Sequence, residues 1–120
     1  ERRLNNLCLK DIPLNKTLLL GFSQGGAMAL ELAKRIKFEG VFAISSYPHP
    51  EWKPSKDMPP IFLCHGNMDQ IVPMAASQKS FEILLKNEAN SKLYFFNGGH
   101  EINNELIDHC RGIIKEKFLS

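Results

Sequence analysis

Four short apolar runs, at 17–22, 41–45, 61–64 and 93–96, punctuate the 120-residue chain, and stretches of helical character separate them. A strand with one wet face alternates apolar and polar side chains, whereas an uninterrupted apolar run suits a strand buried on both faces. Residues 27–37 hold Ala, Met, Leu and Glu, all good helix formers. Pro73 opens a helical stretch to about residue 90, with Met74, Phe81, Leu84 and Leu85 as its apolar side. Residues 101–118 place Ile102, Leu106, Cys110 and Ile113 on one helical face. The order β-α-β-loop-β-α-β-α predicts an α/β chain: a mostly parallel sheet of about four strands with flanking helices, in one unit over residues 1–120. In such sheets the chemistry sits in loops at the carboxyl ends of the strands.

Between the runs, Gly40 reads as the end of the first helical region. Residues 47–60 form a stiffened loop carrying Pro48, Pro50, Pro54, Pro59 and Pro60, five of the seven prolines. The segments 65–70 and 97–100 read as a loop and a glycine turn. At the amino-terminal end, Leu4, Leu7 and Cys8 have the spacing of an amphipathic helix, and residues 11–16 read as a turn.

Composition removes several function classes. The net charge is +2 with lysines and arginines scattered, so no nucleic-acid partner is expected. No apolar run approaches bilayer length, so no integral membrane span is expected. Glu1, Arg2 and Arg3 begin no apolar leader-like segment, which predicts a cytoplasmic location. Three cysteines, Cys8, Cys64 and Cys110, form neither a disulfide framework nor a CxxC metal pair, so no metal is expected. Cys64 and Cys110 read as small core residues.

The chemistry starts at Gly21-Phe22-Ser23-Gln24-Gly25, a G-x-S-x-G match with an apolar strand before it and a helix after it. Such a turn strains the serine backbone and lifts its oxygen above the sheet at a helix N-terminus; Gly21 and Gly25 leave room for neighbouring backbone. The Gln24 amide would then face a developing oxyanion. A plain glycine-rich turn is the bland alternative; a phosphate loop is excluded, because no Gly-Lys-Ser/Thr follows. Of four histidines, His100 follows Gly98-Gly99 after the fourth run, where its imidazole is free to reach the serine. His65 reads as a satisfied structural histidine, His109 as a helix-surface residue, and His49 lies in the proline loop. Asp69 follows the third run and lies between serine and histidine in sequence, ahead of Asp11, Asp57 and Asp108 as the acid that orients the base. Its alternative reading is a turn residue or helix cap. The order Ser23, Asp69, His100, each after a different strand, is the Ser-acid-His order of α/β-hydrolases. Tyr47, Trp52, Met58, Met68, Ile71 and Met74 are candidates to line an acyl site, flexible methionines suiting variable chains, with plain packing as the alternative for each.

Three blocks resemble the phospholipase/carboxylesterase family of α/β-hydrolases, which includes the acyl-protein thioesterases: Gly-Phe-Ser-Gln-Gly-Gly-Ala at 21–27, His-Gly-x-x-Asp-x-x-Val-Pro at 65–73, and Gly-Gly-His-Glu at 98–101. Ala43-Ile44-Ser45-Ser46-Tyr47 is similar to the family's segment after the next strand. The resemblance implies the C-terminal half of an α/β-hydrolase fold, with Ser23 as nucleophile, Asp69 as acid, His100 as base and Gln24 giving one oxyanion amide. It implies hydrolysis of carboxylic esters or acyl thioesters, a small-molecule ester or acylated protein as substrate, and no cofactor. It also implies further strands before residue 17 and a second oxyanion amide from a loop there. The strand at 17–22 is therefore expected to need upstream residues, a second chain or another copy as a homodimer along its outer edge. Two rivals stand beside this reading: a catalytically impaired half-hydrolase serving as a binding or assembly module, and a related hydrolase such as a dienelactone hydrolase or peptidase.

Overall fold

A computed structural model describes residues 16–119. The helical pattern at 1–10, the turn up to residue 15, and with them Cys8 and Asp11, lie outside the described residues.

Among the described residues seven elements follow in order: β1 (Leu18–Phe22), α1 (Gln24–Leu32), β2 (Gly40–Ile44), β3 (Ile61–Gly66), α2 (Ala75–Lys86), β4 (Ser91–Phe96) and α3 (Asn104–Lys117). The strands form one parallel sheet in the order β1-β2-β3-β4. Each strand thus lies beside its sequence neighbour, and all four carboxyl ends share one edge.

The central strands β2 and β3 are buried at every position, as their uninterrupted apolar runs require. Their side chains alternate between two cores. Val41, Ala43, Ile61 and Leu63 pack with Ala29 and Leu30 of α1, with Ala33 just after it, with Leu84 of α2, and with Trp52 and Met58 of the proline loop. Phe42, Ile44, Phe62 and Cys64 face the other way, onto Phe96 and onto Leu106 and Cys110 of α3. Phe42 and Phe62 stack at 4.9 Å, and Phe118 meets Phe62 edge-on at 6.0 Å. Burying a side chain such as Leu84 or Leu106 contributes roughly 1.5–3 kcal/mol. Helices on both faces of a parallel sheet define the three-layer α/β architecture.

The structure corrects several boundaries. Gly40 does not end the first helix; it opens β2, and α1 stops at Leu32. His65 and Gly66 belong to β3 rather than to the loop after it. Helix α2 begins at Ala75 and ends at Lys86. Helix α3 begins only after Asn103, whose side chain accepts from the Leu106 amide, so Ile102 lies before the helix and is exposed. Strand β1 pairs only with β2 among the described residues, and Leu20 is 53% exposed; the run at 17–22 is not buried on both faces. No helix among the described residues is long and apolar enough to cross a membrane.

Candidate active site

The turn from β1 into α1 holds Ser23 at φ 57°, ψ −119°, in a region that side-chain-bearing residues rarely adopt. Its amide donates to the Ile44 carbonyl of β2 at 2.7 Å, and its carbonyl accepts from Gly26 and Ala27 at the start of α1. The strained serine is thereby fixed by a strand on one side and a helix on the other. A Cβ on Gly21 would lie 2.2 Å from the Gly25 carbonyl oxygen, so this position excludes a side chain. Gly25 itself faces open space, contrary to expectation; the second crowded glycine is Gly26, where a Cβ would meet the Ser46 Cβ at 2.6 Å. Gln24 opens α1, and its N–H belongs to the first turn, whose amides have no acceptor inside the helix.

The loops after β3 and β4 continue the strand pairing beyond the sheet. The Asn67 amide donates to the Phe96 carbonyl and the Met68 amide to the Gly98 carbonyl, each at 2.9 Å. A Cβ on Gly66 would stand 2.4 Å from both the Gly98 and Gly99 carbonyl oxygens. Glu105 of α3 accepts from the Asn97 amide, and the Asn103 side chain donates to the Asn97 carbonyl. The two loops are therefore hydrogen-bonded to each other, with Asp69 on one and His100 on the other.

His100 Nδ1 lies 2.8 Å from Asp69 Oδ2, and His100 Nε2 lies 3.0 Å from Ser23 Oγ. A carboxylate only accepts, so Nδ1 carries the proton and donates to Asp69, leaving Nε2 to accept from the Ser23 hydroxyl. Phe22 packs against the His100 ring at a centroid distance of 4.8 Å. Burial pushes the Asp69 carboxyl upward, but hydrogen bonds from His100 and from the Val72 and Ile71 amides outweigh it, so the carboxyl sits below the usual carboxylate range. The Asp69 side chain is closed off from solvent, while that of His100 remains 17% exposed.

The other candidates sort by position. His65 is fully buried, between Ser77 Oγ at 2.6 Å and the Val72 carbonyl at 2.7 Å. His49 and Asp57 are exposed in the proline loop, and Asp108 is exposed on α3. His109 is half-buried and stacks on Tyr94 at 3.5 Å; burial lowers its basicity, partly offset by Glu105. Cys64 and Cys110 are buried free thiols, and the hydrogen bond between them, with burial, pushes the Cys64 thiol far up. Among the described residues no cluster of three His, Cys, Asp or Glu side chains is placed to hold a metal ion.

Of the proposed acyl-site residues, Tyr47, Met68, Ile71 and Met74 are exposed at the edge that carries Ser23, Asp69 and His100. Trp52 is not. It is 5% exposed in the core beneath α1, where its Nε1–H donates to the Leu30 carbonyl, one of the carbonyls a helix end leaves without an internal partner. Met58 is buried in the same core. Phe22, Asn67, Val72 and Ser77 escaped the sequence reading as parts of the site. Phe22 carried a local signal, its adjacency to Ser23, and Asn67 and Val72 lie within the block at 65–73.

A parallel three-layer sheet with a serine at the first strand–helix turn, hydrogen-bonded to a histidine and an aspartate from later strand ends, defines an α/β-hydrolase fold. Sequence comparison is more specific: the profile of the phospholipase/carboxylesterase family matches residues 2–117, and the chain belongs to that family. Acyl-protein thioesterase 1 of Neurospora crassa is 31% identical over 121 residues, a match covering 89% of this chain and 48% of that protein. The solved structure of esterase PE8 is similar at a TM-score of 0.84 and 28% identity, over 94% of this chain and 56% of that one. Acyl-protein thioesterase 2 of Zea mays shares the fold at a TM-score of 0.78 and 22% identity, over 98% of this chain and 62% of that one. The chain spans half or less of the length of the curated relatives it matches.

Proposed function

We propose that this chain carries the catalytic triad of a serine hydrolase that cleaves carboxylic esters or acyl thioesters. The observation that supports it is the unbroken hydrogen-bonded series from Asp69 Oδ2 through His100 to Ser23 Oγ. Ser23 Oγ attacks the acyl carbonyl carbon while His100 Nε2 takes its proton. Asp69 holds the imidazole in the Nδ1–H tautomer and stabilises the imidazolium that forms. The Gln24 N–H, at the positive end of α1, donates to the oxyanion. The imidazolium returns its proton to the leaving alkoxide or thiolate, and an acyl-Ser23 ester remains. Water then attacks the ester carbonyl, again giving its proton to His100, and the acid departs as Ser23 recovers its own.

Exposed Tyr47, Met68, Ile71 and Met74 supply apolar surface for the acyl group, and the adaptable methionines accept chains of different length. The relatives named as acyl-protein thioesterases support acylated proteins as the substrate class, and a cytoplasmic location suits such substrates. In the protein as produced, Ser23→Ala is expected to reduce p-nitrophenyl ester turnover to the buffer rate and to abolish the mass adduct left by a fluorophosphonate probe. Unchanged turnover in that variant refutes the proposal.

A further inference from the structure

His65 is fully buried, yet every polar atom of its ring is engaged, and the engagement leads into the site. Its Nε2 lies 2.7 Å from the Val72 carbonyl, which can only accept, so Nε2 carries the proton. In the neutral ring Nδ1 is bare and accepts from the Ser77 hydroxyl at 2.6 Å, on a buried serine in the first turn of α2. The tautomer is therefore set by the carbonyl, opposite to that of His100. Val72 is held at both ends: its carbonyl by His65, and its amide by Asp69 Oδ1 at 2.8 Å. The Ile71 amide bonds the same oxygen at 2.9 Å, which leaves Oδ2 for His100. That Oδ2 also lies 3.4 Å from His65 Nε2, so two imidazoles face one carboxylate oxygen.

We infer that His65 is a positioning residue for the reaction: as a neutral Nε2–H donor it fixes Val72 and Asp69 Oδ2, and so aims the carboxylate at His100. The relay runs from β3 through His65, Val72, Asp69 and His100 to Ser23. A histidine is suited to this place because one flat ring reaches three partners on two elements: the Val72 carbonyl and Asp69 carboxylate of the acid loop, and Ser77 of α2. Phenylalanine fills the same space but leaves the Val72 carbonyl and the Ser77 hydroxyl without their ring partner. Glutamine restores one N–H near the Nε2 position.

The inference rests on the serine-hydrolase reading, and the experiment separates the two. In the full-length protein, ¹⁵N NMR of the histidine rings should show His65 neutral with Nε2 protonated and Nδ1 bare. Phosphonylation of Ser23 by a fluorophosphonate, with release of HF, removes the hydroxyl that His100 Nε2 accepts from and should shift the His65 Nε2–H resonance through Asp69. His65→Phe should lower kcat for a p-nitrophenyl ester by roughly 10- to 100-fold with little change in KM, and displace the pH midpoint of probe labelling. His65→Gln should recover most of the kcat and the wild-type midpoint. Wild-type protein that never labels at Ser23 overturns the hydrolase reading instead. An Nδ1–H tautomer at His65, a resonance indifferent to phosphonylation, or a phenylalanine variant with wild-type kcat and midpoint each overturns the inference. The NMR readouts decide it even where His65→Phe does not fold.

Discussion

Gly66→Ala tests how tightly the acid and the base are coupled, because the structure fixes the size of the perturbation. The added Cβ would stand 2.4 Å from both the Gly98 and Gly99 carbonyl oxygens. Carbon–oxygen contacts relax only near 3.3 Å, so the 97–100 turn must retreat by about 1 Å. Both obstructing atoms are backbone, and the turn ends in His100, so no side-chain rotation relieves the clash. If His100 moves with the turn, its 2.8 Å hydrogen bond to Asp69 lengthens to about 3.8 Å, beyond hydrogen-bond range. The Met68 amide loses the Gly98 carbonyl in the same motion. A misplacement of this size costs about 100-fold in rate, equivalent to roughly 2.7 kcal/mol of transition-state stabilisation. Overpacking adds about 1–3 kcal/mol of lost stability. The assay is kcat/KM with a p-nitrophenyl ester, measured well below the thermal midpoint so that the folded fraction stays near unity. A variant within about twofold of wild type would refute the claim that the 97–100 turn sets the distance from His100 to Asp69.

Two further predictions use stability alone. The Asp69 carboxyl titrates below its unfolded value of about 3.9, so the native state binds fewer protons and the group stabilises the fold above that pH. That contribution is lost as pH falls below about 4 through the lower native value. Urea midpoints at pH 6 and pH 3 should therefore drop further for wild type than for Asp69→Asn; equal drops would refute the assignment. Gly112, inside α3, has open space around an added Cβ, so Gly112→Ala should stabilise the fold by about 1 kcal/mol, read as a higher thermal midpoint.

The sequence was most legible where local chemistry and placement coincide. The uninterrupted runs at β2 and β3 specify buried parallel strands because no solvent face interrupts them. Ser23, Asp69 and His100 stood out because each follows a strand, and parallel pairing brings those ends to one edge. What stayed hidden depends on neighbours distant in the chain. The apolar run of β1 reads like those of β2 and β3, yet its outer edge has no partner strand among the described residues, which exposes Leu20. Trp52 in a proline-rich loop is equally compatible with lining a site and with sealing a core; the Leu30 carbonyl decides for the core. Both His65 ring nitrogens are hydrogen-bonded, as expected of a satisfied histidine, but its link to Asp69 runs through the Val72 backbone, which no side-chain pattern announces. Helix ends erred where capping overrides composition, as at Asn103, which starts α3 later than the apolar spacing predicts.

The hydrogen bond between Ser23 and His100 joins residues 77 apart in the chain, across the whole width of the sheet's strand order. Its formation requires β1, β2, β3 and β4 all to be docked, because His100 hangs from the far edge strand. Contacts of such separation carry the largest loop-closure cost and belong to the slow part of folding. A partly folded chain with β4 undocked would hold Ser23 and Asp69 but lack His100, the proposed base. Under the proposed mechanism, reactivity at Ser23 is thus a logical conjunction over the strands, silent in incomplete forms. During refolding, probe labelling should return with the last-formed packing at β4 and lag behind helical signal.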